Sequence, residues 1–312
     1  MIKIERLALT TDFSAGSRQS YAPTAELARV LSAQVHLLHC VEHPFQYSPG
    51  WVLPEDGYER YRKTLRQELE RVANSSVFEG LEPQQHLLKG YGPDAVREFA
   101  EQERMDLIVQ ASHGYTGWKH FVLGSFAERV LRTSKVPVLT LRSSKSDTTH
   151  AGDAEAGFHP KKVLYPYDFS APSQQATDQI RLLARSYSAK VLVLHVWNDT
   201  FTALPATEMG GGAVVWESLS QTKVPEKLAE DLKEFAIREL DGIDYEVEVM
   251  TGDPTTVILE RAGSSEADVI CMATHGWTGL RHILLGSVAE KVVRGAQCPT
   301  LTVRSSPETL RD

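Results

Sequence analysis

Apolar residues in this chain fall into short runs of two kinds, and the two kinds alternate. In the second half, KVLYPYD (162–168) is a brief β-rich run stopped by Pro166, after which Ser170, with Pro172 two positions on, predicts a helix start. The apolar face of that helix includes Ile180, Leu183 and Ala184. AKVLVLHVW (189–197) is too short and too branched for a helix and reads as a buried strand. VPEKLAEDLKEFAIREL (224–240) has the helical period, and DYEVEVMTG (244–252) alternates as a strand does. DPTTVILERAGSSE (253–266) is a helix opened by Asp253 and Pro254. ADVICMAT (267–274) is a fully apolar strand, SVAEKVVRGA (287–296) a helix and CPTLTVRS (298–305) a last strand. The first half repeats this order, β-α-β-α-β-α-β-α-β. Strands joined through helices pair in parallel with right-handed crossovers, so the expectation is α/β, with two doubly wound parallel five-stranded sheets of Rossmann-like type.

The repetition is more than one of pattern. Residues 111–144 and 273–306 align without a gap and are identical at 19 of 34 positions. TDFS (11–14) matches YDFS (167–170), and LLHC (37–40) matches VLHV (193–196), at an offset six residues shorter than the later one. The second half therefore carries a small insertion, placed most simply in the glycine-bearing stretch 200–221. Residues 145–160 are small and polar, which is linker composition. The expected domains are 1–144 and 161–312.

In an open parallel sheet, ligands bind outside the carboxyl ends of the strands, where the strand order reverses. The repeated polar and glycine residues fall at those ends. Asp12 and Asp168 follow the first strand, Cys40 and Val196 end the second, and a His-Gly step (His113-Gly114, His275-Gly276) follows the fourth. A loop then reaches Gly124-Ser125 or Gly286-Ser287 and a helix begins, the arrangement by which backbone N–H groups and a helix N-terminus hold phosphate.

On these residues the chain resembles a tandem universal stress protein, two copies of that family's domain covering nearly its whole length. The family's nucleotide motif is Gly, two residues, Gly, nine residues, Gly, then Ser or Thr. Gly276, Gly286 and Ser287 match it, as do Gly114, Gly124 and Ser125, but the leading glycine is Ala273 in one copy and Ala111 in the other. The resemblance implies a fold like that of the adenine nucleotide alpha-hydrolases. It implies binding of ATP, with or without Mg²⁺, or of ADP or AMP. It implies that Asp168 contacts ribose or metal, and that Val196 packs on adenine, with Pro166, Met272, Ala273 and Val288 around the nucleotide. The first-half counterparts at three of these positions are Thr10, Asp12 and Cys40. The second half matches the pattern better, having Pro166 and Val196 where the first has Thr10 and Cys40. The resemblance also implies that the last strands of the two halves pair, as an intrachain pseudo-dimer; a homodimer stays open.

Several residues carry a second reading. Ser125 with Glu128, and Ser287 with Glu290, have capping-box spacing. Asp12 and Asp168 stand equally as helix caps or ribose contacts. His39 and His195, inside apolar strands, read as satisfied core histidines. His113 and His275 have no carboxylate at motif spacing to make either a base. Lys119 with His120, and Arg281 with His282, either neutralise phosphate or are solvated.

Composition narrows the class. A net charge of −8 without a concentrated basic stretch argues against nucleic acid as a partner. No apolar run approaches membrane-spanning length, and a cytoplasmic chain is expected. Cys40, Cys271 and Cys298 fit neither a disulfide framework nor a zinc pattern. No Walker lysine, nucleophile elbow or metal-spaced His/Cys/Glu cluster is present, so binding is expected before catalysis. The alternative from another class is a dimerising scaffold of the same fold that holds no nucleotide.

Overall fold

The computed structural model describes residues 2–41, 55–112, 123–142, 157–197, 223–274 and 285–304. Two compact units divide between His159 and Pro160. The expected linker lies largely on residues 143–156, and the expected insertion on 198–222, both outside the described residues.

In the first unit the strands are β1 (Arg6–Thr10), β2 (Gln34–Val41), β3 (Gln84–Lys89), β4 (Leu107–Ala111) and β5 (Val138–Leu141), all parallel, in the order β3-β2-β1-β4-β5. The helices are α1 (Ala15–Arg18), α2 (Tyr21–Leu31), α3 (Glu55–Ala73), α4 (Gly92–Gln102) and α5 (Ser125–Thr133). The second unit repeats them with β6 (Lys162–Pro166), α6 (Ala171–Gln175), α7 (Thr177–Tyr187), β7 (Lys190–Trp197), α8 (Lys223–Glu239), β8 (Tyr245–Thr251), α9 (Pro254–Ser264), β9 (Val269–Ala273), α10 (Ser287–Gly295) and β10 (Thr300–Val303). Its strand order, β8-β7-β6-β9-β10, is the same.

Central strands are buried along nearly their whole length, as continuous apolar runs covered by crossover helices must be. In the second unit Leu164, Leu192, Leu194 and Ile270 from the sheet meet Val257, Ile258, Ala289 and Val292 from α9 and α10. The outer strand β8 has no fully buried residue, and its acids are paired. Glu246 accepts from Lys190 at 2.7 Å, and both oxygens of Glu248 accept from Arg261 at 2.6 Å. Such charged pairs on an edge discourage stray strand addition.

One clamp recurs at the amino ends of the strands. Asp106 Oδ2 accepts the N–H groups of Glu5 and Arg6, and Asp268 Oδ2 those of Lys161 and Lys162. It locks the start of the first strand of each unit against the fourth.

The helix expected from Ser170 is divided in two. Ser170 is the N-cap of α6, its side chain accepting from the Ser173 N–H, but the helix breaks at Ala176. The buried Tyr165 hydroxyl donates to the Ser173 carbonyl at 2.6 Å, and that carbonyl also takes the Ala176 N–H in a tighter turn. A side-chain donor competing for a helix carbonyl bends the helix. In the first unit the Ser20 hydroxyl does this to Ser17 at 2.5 Å, between α1 and α2.

Candidate functional site

The strand order changes direction at β1 in the first unit and at β6 in the second, so each sheet opens its crevice between that strand and β4 or β9. Thr10 ends β1, Pro166 ends β6, Ala111 ends β4 and Ala273 ends β9. Cys40 and Val196 are each one residue from the end of β2 and β7. Thr10, Cys40 and Ala111 in the first unit, and Pro166, Val196 and Ala273 in the second, thus lie at or next to the carboxyl ends of three neighbouring strands.

Past the first strand the chain turns sharply. Oδ1 of Asp168 accepts both the N–H (3.0 Å) and the hydroxyl (2.5 Å) of Ser170, and Oδ1 of Asp12 holds Ser14 at 3.0 and 2.6 Å. Neither aspartate is itself the cap. Each orients a serine that caps the helix, so the carboxylate stays at the mouth, half-buried, rather than in the helix end. Between aspartate and serine lies a phenylalanine with positive φ, 64° at Phe13 and 62° at Phe169. For a bulky residue this left-handed conformation costs on the order of 1–3 kcal/mol and persists only where surroundings impose it.

A histidine imposes it. His39 Nδ1 donates to the Thr11 carbonyl and His195 Nδ1 to the Tyr167 carbonyl, both at 2.8 Å. A carbonyl only accepts, so the proton sits on Nδ1. The Phe13 ring stacks on His39 at 4.5 Å between centroids, and Phe169 meets His195 edge-on at 4.9 Å. Burial lowers the His195 pKa, partly offset by the Tyr167 carbonyl. The two histidines are clamps that set the aspartate turn. Sequence reading missed the phenylalanines; the shared Asp-Phe-Ser was the available signal.

On the other side of the mouth, the Ser112 N–H reaches the Leu141 carbonyl at 2.8 Å, and the Ser112 carbonyl accepts the Gly124 N–H at 2.9 Å. In the second half, Thr274 binds Val303 at 2.9 Å and Gly286 at 2.7 Å. The glycine is thereby pinned directly above the strand end, and α5 or α10 starts from it. One expectation changes here. The capping boxes do not form: the N-caps are Gly124 and Gly286, which have no side chain to cap with, and Ser125 and Ser287 are exposed first residues of the helices. Glu128 and Glu290 turn along the helix to Arg132 and Arg294 at 3.0 and 3.1 Å. Both glycines are extended (φ −62° and −67°), a backbone conformation open to any residue. Ala111 and Ala273 are not among the positive-φ residues and pair in the sheet with Leu141 and Val303, so alanine there carries no left-handed strain.

Met272 precedes Ala273 on β9, and Val288 is half-buried on the second residue of α10. Val196 and Val288 both pack against the second-half core. His113, Gly114, Lys119, His275, Gly276 and Arg281 lie outside the described residues. Among the described residues, no group of three His, Cys, Asp or Glu side chains is placed to hold a metal. None of Cys40, Cys271 and Cys298 forms a disulfide, and Cys271 is fully buried. No helix among the described residues is long and apolar enough to cross a membrane.

A parallel sheet with crossover helices, an aspartate turn and a glycine-capped helix start, twice over, defines a duplicated α/β protein with a crevice at the strand ends of each unit. The universal stress protein family model matches at residues 3–142 and again at 159–304, and the chain belongs to that family. Universal stress protein MJ0531 of Methanocaldococcus jannaschii is 36% identical over 146 residues, covering 46% of this chain and 82% of that protein. Universal stress protein E homolog of Haemophilus influenzae is 24% identical over 268 residues, covering 80% of this chain and 77% of that one. A crystal structure of a universal stress protein from Archaeoglobus fulgidus superposes with a TM-score of 0.66 at 19% identity, covering 98% of each chain, which is likeness of fold.

Proposed function

We propose that this chain is a nucleotide-binding regulator of the stress response, holding ATP or a related adenine nucleotide at the strand ends of its second half. The observation that carries it is the glycine-capped start of α10. Gly286, the N-cap, is fixed to the Thr274 carbonyl and brings no side chain of its own to the helix end. A helix start of this kind favours an anion through its exposed N–H groups and its dipole. Ser287 and Val288 would offer backbone N–H groups to phosphate, and the resemblance adds His275, Gly276 and Arg281, which lie outside the described residues. Asp168, held at the mouth by its turn, would meet ribose, or a Mg²⁺ shared with the phosphates. Val196, Val288, Met272 and Pro166 would give the base its apolar surface.

Release and titration test this. The purified chain is denatured and its supernatant chromatographed, and stripped protein is titrated with ATP and Mg²⁺ by calorimetry. The expected result is saturable binding abolished by Gly286→Trp. Absence of both released nucleotide and binding at millimolar concentration would sink it.

The second reading is a scaffold without nucleotide, in which the last strands are the working surface. Val138–Leu141 and Thr300–Val303 support it, since neither sequence contains a charge or a proline to discourage pairing. We propose that these strands join the two halves in either case. Slow amide exchange at both strands is the expected result, and fast exchange at either would exclude the pairing. We propose the cytoplasm as the chain's location, which fractionation would check.

A further inference from the structure

The two mouths differ where the resemblance puts the base. In the first half three segments converge on Gly92, the first residue of α4. A Cβ built on Gly92 would lie 3.0 and 3.3 Å from Cε2 and Cδ2 of Phe126 and 3.5 Å from the Cβ of Cys40. The Cys40 thiol donates to the Gly92 carbonyl at 3.4 Å. The Phe126 ring therefore rests on bare backbone beside the end of β2, where a Cβ on residue 92 would press against it. Gly92 and Pro93 are buried beneath this packing.

The same three positions in the second half hold Pro254, Val288 and Val196. A pyrrolidine ring stands where the first half has only a hydrogen, and a short branched side chain replaces the benzyl group. Pro254 and Thr255 are half-buried where Gly92 and Pro93 are buried. Small against large in one half and large against small in the other is the compensation close packing demands. The first half thus carries an aromatic ring at the place where the second carries a valine side chain.

The helix starts flanking this ring are also tied differently. In the first half the Arg129 guanidinium lies 5.2 Å from the centre of the Tyr91 ring and 3.7 Å from Asp94, so α5 reaches across to α4. In the second half Asp253, the counterpart of Tyr91, instead caps its own helix through Thr256 at 2.9 Å.

We propose that Phe126 occupies the base position of the first-half mouth, so that the chain takes one adenine nucleotide, in the second half. This rests on the nucleotide assignment above and restricts it to one site. Phe126 acts there as the residue that determines occupancy, and Gly92 as the residue that lets it.

The test is calorimetric stoichiometry on the full chain, stripped and titrated with ATP and Mg²⁺. The expected count is one per chain, lost in Gly286→Trp and rising to two in Phe126→Val, which places the second-half residue in the first. The count in the unaltered chain is read whether or not Phe126→Val folds well. A count of two in the unaltered chain, or a well-folded Phe126→Val still at one, overturns the proposal and leaves the nucleotide assignment standing. A Phe126→Val chain that loses its only site would make Phe126 a stacking platform and also overturn it. No binding by the unaltered chain or by Phe126→Val removes the nucleotide assignment itself.

Discussion

His195 Nδ1 lies 2.8 Å from the Tyr167 carbonyl oxygen, and this bond from β7 fixes the residue immediately before Asp168. Removing the imidazole leaves a carbonyl unpaired beneath a buried ring. His195→Ala is expected to cost about 1–3 kcal/mol, the range for a buried acceptor left unsatisfied. Urea denaturation measures it, and an unchanged midpoint would show that the turn holds without its clamp.

The left-handed Phe169 supplies a second prediction. Phe169→Ala keeps the backbone cost and loses the ring against His195, whereas Phe169→Gly loses the ring and relieves the backbone. The glycine variant is therefore expected to be the more stable of the two by about 1 kcal/mol, the reverse of the usual order in regular structure. Paired denaturation curves decide it.

His36 gives the pH dependence. Burial, reinforced by His86, lowers its pKa to about 4; its Nδ1 is 3.0 Å from His86 Nε2, and Phe99 packs on both rings. Arg6 lowers the pKa further and Glu103 opposes it. The unfolded chain takes up a proton near pH 6.5 that folded His36 refuses until about pH 4. Stability therefore falls on acidification through that window, by up to about 1.4 kcal/mol per pH unit for one such group. His36→Leu, the residue the second half has at the matching Leu192, should flatten that limb of a stability curve taken from pH 7 to pH 4. An equally steep limb would place the effect elsewhere.

Gly90 and Gly252, after β3 and β8, separate strain from crowding. Both have positive φ, 113° and 148°, but a Cβ on Gly90 meets nothing within 4 Å, whereas one on Gly252 would sit 2.9 Å from the Val257 side chain. Gly90→Ala is expected to cost about 1 kcal/mol and Gly252→Ala clearly more. Thermal unfolding of the two variants would contradict this if their melting temperatures dropped equally.

Much of this was legible in the sequence because it was written twice. Two constant offsets between the halves located the strand ends, and the Gly-Ser step located the helix start. The capping box was misread because Ser-x-x-Glu is the usual start signal, while here the preceding glycine already occupies the cap and serine follows one place late. The left-handed phenylalanines left no propensity signal, since phenylalanine does not favour that conformation; the bond from His195 to Tyr167, 28 residues apart, imposes it at Phe169. The packing of Phe126 on Gly92 was hidden for a similar reason. It joins three segments far apart in the chain, and no local pattern records which residue a side chain will meet.

The joining of both copies in one polypeptide has a genetic consequence. In an assembly of identical subunits, any codon change alters every mouth at once, and a filled cleft in one would be a filled cleft in all. Here position 126 can become phenylalanine while position 288 stays valine, and every molecule translated carries one of each. Fusion fixes the ratio of the two kinds at one to one, with no need for partners to find each other or for mismatched pairs to be rejected.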